Sequence, residues 1–360
     1  MNIREALTFD DVCLLPDYSE VTSRKEVDLS SEILPGLKFD IPIISANMNM
    51  VTEGKMIEEM TSRGATSGLH RYITTKKLHE ILFSLPKETW KKFGISVGAN
   101  PEQYEPFLET VIANNFWERI GYIIIDVAHG HHLLVKNALK KIKELIPKNI
   151  PILAGNVCTY RAALNIAEWG ADGIKGGIGN GAMCTTRIVA GVGFPQLSAI
   201  MECKRAVDDF FISTGKRVTL VGDGGLKTSG DCVKGLAAGA DFLMSGSFFS
   251  GTKESPGNVL SLPGNKKVKL YNGMSSIDAQ VTFYGKEAEE IVAEGVSTLV
   301  EYKGTIHRVL NQLVGGMRSG FSYCGCFNIK ELHEYGKFED SWVKVTSSGF
   351  QEGLPHGAKQ

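Results

Sequence analysis

Eight short apolar runs alternate with amphipathic helical segments along most of the 360 residues, with no obvious ninth, and most runs end in small or polar residues. These observations predict an α/β fold, a closed (β/α)8 or TIM barrel, as a single domain over 1–360. Continuous apolar strands are strands buried on both faces, as in a parallel sheet wrapped by helices. Barrels of this kind reach about 250 residues or more as one unit, so the length does not demand a second domain. An open doubly wound sheet is the competing arrangement, but no Gly-x-Gly-x-x-Gly follows the first strand.

The expected strands are Ile41–Ser45, Ala65–Leu69, Phe93–Val97, Tyr122–Asp126, Ile152–Gly155, Gly173–Gly176, Val218–Gly222 and Phe242–Ser245. Between them, Leu134–Leu145, Tyr160–Glu168, Ser198–Phe211 and Cys232–Ala238 carry helical periodicity. The strand ends read Ser45-Ala-Asn-Met48, Gly68-Leu-His-Arg71, Gly98-Ala-Asn100, Asp126-Val-Ala-His129, Gly155-Asn156, Gly222-Asp-Gly-Gly225 and Ser245-Gly-Ser247. A barrel gathers all of these on its carboxyl face, where active sites are assembled, and packing alone does not account for them. The chain is therefore expected to be an enzyme. Residues 254–302 break the alternation and are expected to form a lid over that face. A polar tail occupies 339–360.

Composition excludes several classes. The formal net charge is −1, so no basic field favours nucleic acid or an anionic membrane. No apolar run approaches the roughly 18 residues of a membrane span, and the first residues lack the apolar core of a signal peptide. The seven cysteines, Cys13, Cys158, Cys184, Cys203, Cys232, Cys324 and Cys326, follow no disulfide framework and point to a reducing, cytoplasmic setting. Cys324-Gly-Cys326 lacks a second ligand pair for a metal, and His129, His131 and His132 are expected to serve a polar strand end.

The loop Gly176–Arg187 places Cys184 among four glycines, two threonines and an arginine. A thiol on an accessible polar loop suits a nucleophile, against the plainer alternative of a glycine-rich turn with an incidental cysteine. The turns at Asp223-Gly224-Gly225 and Gly246-Ser247 follow the last two strands, where barrels commonly hold phosphate on backbone N–H groups. Asp223 would repel phosphate but accept from a ribose diol, which suggests a nucleoside monophosphate; tight strand-to-helix turns are the alternative. Met48 is a candidate platform for a flat base. Glu294 is a candidate proton-transfer group on the lid. Lys266, Lys267 and Lys269 are expected to be solvated.

With these residues assembled, the chain resembles the IMP dehydrogenase/GMP reductase family over nearly its whole length. The resemblance rests on Leu7-Thr-Phe-Asp-Asp-Val12, Ser45-Ala-Asn-Met48, Ala154-Gly-Asn-Val157, Gly177-Ile-Gly179, the Cys184 loop, Asp223-Gly-Gly225, Gly273-Met-Ser-Ser276, Glu294-Gly295 and Gly315-Gly-Met-Arg-Ser319. Residues 71–93 are too few for the regulatory pair of small domains that many dehydrogenases insert there. Cys184-Thr-Thr-Arg187 and Gly191-Val-Gly-Phe-Pro-Gln-Leu-Ser198 look like the reductase pattern. The Arg-Tyr pair that activates water in the dehydrogenase lid does not occur between Met274 and Glu294.

The resemblance therefore implies NADPH-dependent reductive deamination of GMP to IMP and ammonia through a thioimidate on Cys184. The alternatives are oxidation of IMP by NAD to XMP and, more remotely, a non-catalytic nucleotide sensor. By resemblance, Thr186 and Glu294 protonate and hold the leaving amine, and Asp223 holds the ribose. Gly224, Gly225, Gly246 and Ser247 are placed at the phosphate, and Met48, Gly273, Met274 and Ser275 at the substrate base. Asp126, Ala128, Gly98, Asn100 and Ser319 fall on the cofactor side, with Arg71 and Arg318 as candidates toward a 2′-phosphate. The carbonyls of Gly179, Gly181 and Cys184 match a K+ site, and a homotetramer is implied. Asn49, Ile291 and a tail containing His356 depart from the reductase pattern.

Overall fold

A computed structural model describes residues 3–284 and 287–355; His356 lies outside the described residues. Eight parallel strands close into a barrel in sequential order: β1 (Ile43–Ser45), β2 (Thr66–Leu69), β3 (Phe93–Val97), β4 (Tyr122–Asp126), β5 (Ile152–Val157), β6 (Gly173–Gly176), β7 (Thr219–Asp223) and β8 (Phe242–Ser245). Each expected strand matches its observed counterpart to within two residues at either end. β8 pairs with β1 through Leu243 and Ile43, Met244 and Ile44, and Ser245 and Ser45, which removes both sheet edges.

The outer ring is α1 (Gly54–Ser62), α2 (Thr75–Ser84), α3 (Pro101–Ala113), α4 (Leu133–Leu145), α5 (Tyr160–Glu168), α6 (Gln196–Thr214), α7 (Ser229–Ala237) and α8 (Ile306–Tyr323). Local sequence starts several of them. The Thr159 hydroxyl accepts from Ala162 N–H at the head of α5. Thr228 and Asp231 form a capping box on α7, satisfying donors that a helix start leaves open. Apolar stripes such as Val135, Ala138, Leu139 and Ile142 on α4 then bury against the strands.

Two apolar layers result. One lies between strands and helices; the other fills the barrel interior with Ile44, Tyr122, Ile124, Leu153, Val221, Phe242 and Met244. A hairpin of Ser31–Leu34 and Leu37–Phe39 closes the amino end, contributing Ile33, Leu34 and Phe39 to that interior layer. Apolar packing thus fills one end of the barrel and leaves the carboxyl end to polar side chains.

Residues 254–302 carry more regular structure than their weak periodicity suggests. β9 (Leu260–Leu262), β10 (Lys266–Asn272) and β11 (Ser297–Glu301) form an antiparallel sheet, with a helix at Ile277–Tyr284 between the last two. The expectation for Lys269 is corrected. Lys266 and Lys267 are exposed, but Lys269 is buried, and its ammonium donates to the carbonyls of Thr252 and Ser255. Its strand neighbour Leu270 is exposed instead. In the tail, Trp342–Lys344 pairs antiparallel with Val12–Leu14.

Candidate active site

The loop after β6 carries Cys184 exposed to solvent. Its Sγ–H donates to Thr186 Oγ1 at 3.2 Å, and Thr186 Oγ1–H donates to Glu294 Oε2 at 2.7 Å. Glu294 comes from the lid, and backbone pairing fixes its approach. Thr185 N–H donates to the Glu294 carbonyl at 2.9 Å, Val296 N–H donates to the Met183 carbonyl at 3.0 Å, and Cys184 bridges Gly295 antiparallel. The chain entering β11 therefore runs alongside the cysteine loop, and its register delivers the carboxylate to the hydroxyl. Close approach explains the loop glycines: a Cβ on Gly179 or Gly193 would lie 2.6 or 2.4 Å from Arg187 Cγ. Arg187 passes between them.

Cys184 opens onto a cavity of about 370 Å3, within the usual range for a small-molecule site. Met48, Gly181, Asp223, Gly224, Gly225, Gly246, Ser247, Gly273, Met274, Ser275 and Glu294 also line it. Gly224 and Gly225 have φ of +84° and +77°, the left-handed region that glycine adopts without steric cost, so the chain turns sharply past Asp223. A Cβ on Gly246 would come within 2.6 Å of Tyr271 Oη and 2.7 Å of Met48 Sδ. Asn49 N–H contacts Met274 Sδ at 3.4 Å, so the backbone of Asn49 joins the two methionine segments.

Below the cavity the barrel mouth is charged. The Lys175 ammonium, 3% exposed, lies 2.8 Å from Asp126 Oδ1 and 2.8 Å from Asp223 Oδ2. Asn156 Nδ2 donates to the same Asp223 oxygen at 2.9 Å, and Arg71 Nε lies 3.9 Å from Asp126 Oδ2. Desolvation pulls the Lys175 ammonium down, but Asp126 and Asp223 outweigh it and raise it above the ordinary lysine value. Burial likewise pushes Asp126 up, and Lys175 and Arg71 more than reverse this, leaving it below the usual carboxylate range.

Arg71 also lines a neighbouring cavity of about 480 Å3, together with Tyr72, Thr74, Gln103 and Phe107. Gly98 packs against Gln103 at the end of β3, Asn100 precedes α3 at its N-cap position without a side-chain cap bond, and Ala128 is exposed just beyond β4. Arg318 and Ser319 are not brought to either cavity. Both lie on α8, where Arg318 is within electrostatic reach of Asp28, and Ser319 borders a groove with Cys13 and Tyr323. At the candidate cation site, the Gly181 carbonyl accepts from Cys184 N–H at 3.0 Å. Among the described residues no cluster of three or more His, Cys, Asp or Glu is placed to hold a metal. His131 bonds Asn165 and stacks on Trp169, and His132 caps α4.

Several site residues escape sequence reasoning. Lys175 sits inside an apolar strand, and Asn156 carries only the signal of ending one. Tyr271 lies two residues before Gly273; burial, with Asp223 adding to it, pushes its hydroxyl up and keeps it a neutral donor. Gln196 at the start of α6 donates to the carbonyls of Gly176 and Asp223, joining two strand ends.

A family model described as the IMP dehydrogenase / GMP reductase domain matches residues 6–356. The chain belongs to the IMP dehydrogenase/GMP reductase family. An inosine-5′-monophosphate dehydrogenase of Nitrosopumilus maritimus is 30% identical over 483 residues, covering 99% of each chain. That of Cryptosporidium parvum is 36% identical, covering 99% of this chain and 96% of its own. Among solved structures, a GMP reductase of Trypanosoma brucei in complex with guanosine 5′-monophosphate superposes with a TM-score of 0.85 at 26% identity, covering 99% of each chain. Membership makes the chain an oxidoreductase of purine nucleotides that uses a nicotinamide cofactor. Among the described residues, no helix is long and apolar enough to cross a membrane.

Proposed function

We propose that this family member reduces GMP to IMP and ammonia at the expense of NADPH. The observation that carries the reading is the hydrogen-bonded series Cys184–Thr186–Glu294, 3.2 and 2.7 Å, at the mouth of a nucleotide-sized cavity. Cys184 Sγ forms a bond to purine C2, the C2–N2 bond breaks, and the amine departs as ammonia. An amide-like anion is a poor leaving group, so a proton must reach N2 as the bond breaks; in this reading the proton that the Cys184 thiol gives up passes through Thr186 to Glu294 and returns by the same hydroxyl to N2. When bound, the cofactor supplies the hydride that restores C2 as the sulfur leaves. Sequence supports this direction of chemistry: no arginine stands between Met274 and Glu294 to help activate water, and a reductase must exclude water from the sulfur adduct.

Asp223 accepts from the ribose diol. Gly225, Gly246, Ser247 and the neutral Tyr271 hydroxyl hold the phosphate, and Met48, Met274 and Ser275 face the base. The residues present suit NADPH: Asp126 offers a ribose acceptor, Arg71 a cation for a 2′-phosphate, and the adjoining cavity an apolar wall. The carbonyls of Gly179, Gly181 and Cys184 are hard oxygen donors suited to K+; the chemical steps do not pass through it. Homotetrameric assembly and a cytoplasmic setting belong to the same reading.

A second reading has support in the names of the relatives, several of which are inosine-5′-monophosphate dehydrogenases. Incubation with GMP and NADPH, and separately with IMP and NAD+, followed by chromatography of the nucleotides, separates the two. IMP and ammonia from the first mixture are expected. XMP and NADH from the second alone overturn the proposal.

A further inference from the structure

Two carboxylates that the proposed function assigns to different ligands share one buried cation. Asp223 ends β7 and lines the Cys184 cavity; Asp126 ends β4 and faces Arg71, which lines the neighbouring cavity. Between them lies β6, whose Lys175 places its ammonium 2.8 Å from an oxygen of each. A strand that would otherwise hold only apolar or small residues thus points a charge into the barrel mouth. With 3% of its side chain exposed, Lys175 has little water to replace a lost partner.

We infer that Lys175 is a positioning residue that couples the nucleotide site to the cofactor site. This rests on the assignment of Asp223 to the nucleotide ribose and Asp126 to the cofactor. The ammonium carries one positive charge between two carboxylates, so while both are ionised neither is fully compensated. If either aspartate loses its charge, the cation turns wholly to the remaining one. That carboxylate then becomes a poorer acceptor for ligand hydroxyls. An aspartate in one site therefore sets the affinity of the other site without touching its ligand. Asn156 anchors the Asp223 oxygen that Lys175 holds, so the carboxylate cannot swing away from the shared cation, and its second oxygen stays available to a ligand.

Titration calorimetry of GMP and of NADPH, each alone, into the full-length protein and its Asp126→Asn and Asp223→Asn variants tests the coupling. The two amides keep the shape of the carboxylates. Asp126→Asn is expected to weaken GMP, and Asp223→Asn to weaken NADPH, each by about 5-fold or more, the low end of site-to-site coupling. Lys175→Met, checked for folding by circular dichroism and for an unchanged rate of Cys184 alkylation, is expected to weaken both ligands, because neither carboxylate is then held in its place at the barrel mouth. If each amide affects only its own ligand, the coupling is overturned while the site assignments stand. If the unaltered protein binds neither GMP nor NADPH, the proposed function itself fails, and the coupling falls with it.

Discussion

Thr186 Oγ1 donates to Glu294 Oε2 at 2.7 Å across a separation of 108 residues, and the same hydroxyl receives the Cys184 thiol at 3.2 Å. Cysteine loop and lid meet at one hydroxyl, so the proposed proton delivery depends on the lid lying against the loop. Glu294→Gln is expected to lower kcat by roughly 100- to 10,000-fold, the usual worth of a positioned acid–base group, while KM for GMP changes little. Steady-state NADPH oxidation measures it; a loss confined to KM would make Glu294 a binding residue.

Replacement of the thiol separates chemistry from binding. Cys184→Ala is expected to abolish NADPH oxidation with GMP while calorimetry still detects GMP, because Asp223, the glycine turns and Tyr271 remain. Substantial residual turnover would exclude a covalent route.

Thiol accessibility supplies a check that needs no turnover. Cys13 and Cys184 are exposed, whereas Cys203, Cys232, Cys324 and Cys326 are buried. Burial, with Asp17 adding to it, pushes Cys324 up to about 11, and burial with Cys324 and acidic neighbours pushes Cys326 up to about 12. Iodoacetamide near pH 8 is therefore expected to alkylate Cys13 and Cys184 in the native protein and these four only after unfolding. GMP should protect Cys184 and leave Cys13 reactive, as peptide mass spectrometry can read.

The central ion cluster also predicts a stability profile. Lys175→Met leaves two largely buried carboxylates without their cation and is expected to cost about 3–5 kcal/mol in denaturant unfolding. In the unaltered protein Asp126 lies below its ordinary value, so its contribution is present above about pH 3.9 and is lost as acid titrates through the lowered value. Lys175 lies above its ordinary value, so its contribution is present below about pH 10.4 and is lost as alkali titrates through the raised one. Unfolding free energies from pH 3 to 11 should therefore show a cluster contribution across that interval, absent in Lys175→Met.

The strands were legible because burial on both faces of a closed barrel demands continuous apolar runs, and such runs end visibly at Ser45, Val97, Asp126 and Ser245. Lys269 and Lys175 were not legible for the opposite reason. A lysine in a sequence looks solvated, and only the carbonyls of Thr252 and Ser255, or the carboxylates of Asp126 and Asp223, make burial of its charge tolerable. Arg318 shows the converse: a plausible cation in sequence, it lies on α8 and lines neither the Cys184 cavity nor the one beside Arg71.

Sequence by itself determined the barrel and the glycine-rich turns at its mouth, and it singled out Cys184 as the candidate nucleophile. These are local matters: strand period, backbone conformations open to glycine, and a thiol's intrinsic nucleophilicity. Tertiary structure alone decided that Glu294 reaches Thr186, that Tyr271 stands beside Gly246, and that one lysine serves two aspartates. Those relationships depend on the register between the lid and the cysteine loop and on the angular order of strands around a closed barrel. A linear chain carries no distances between such elements until the barrel closes.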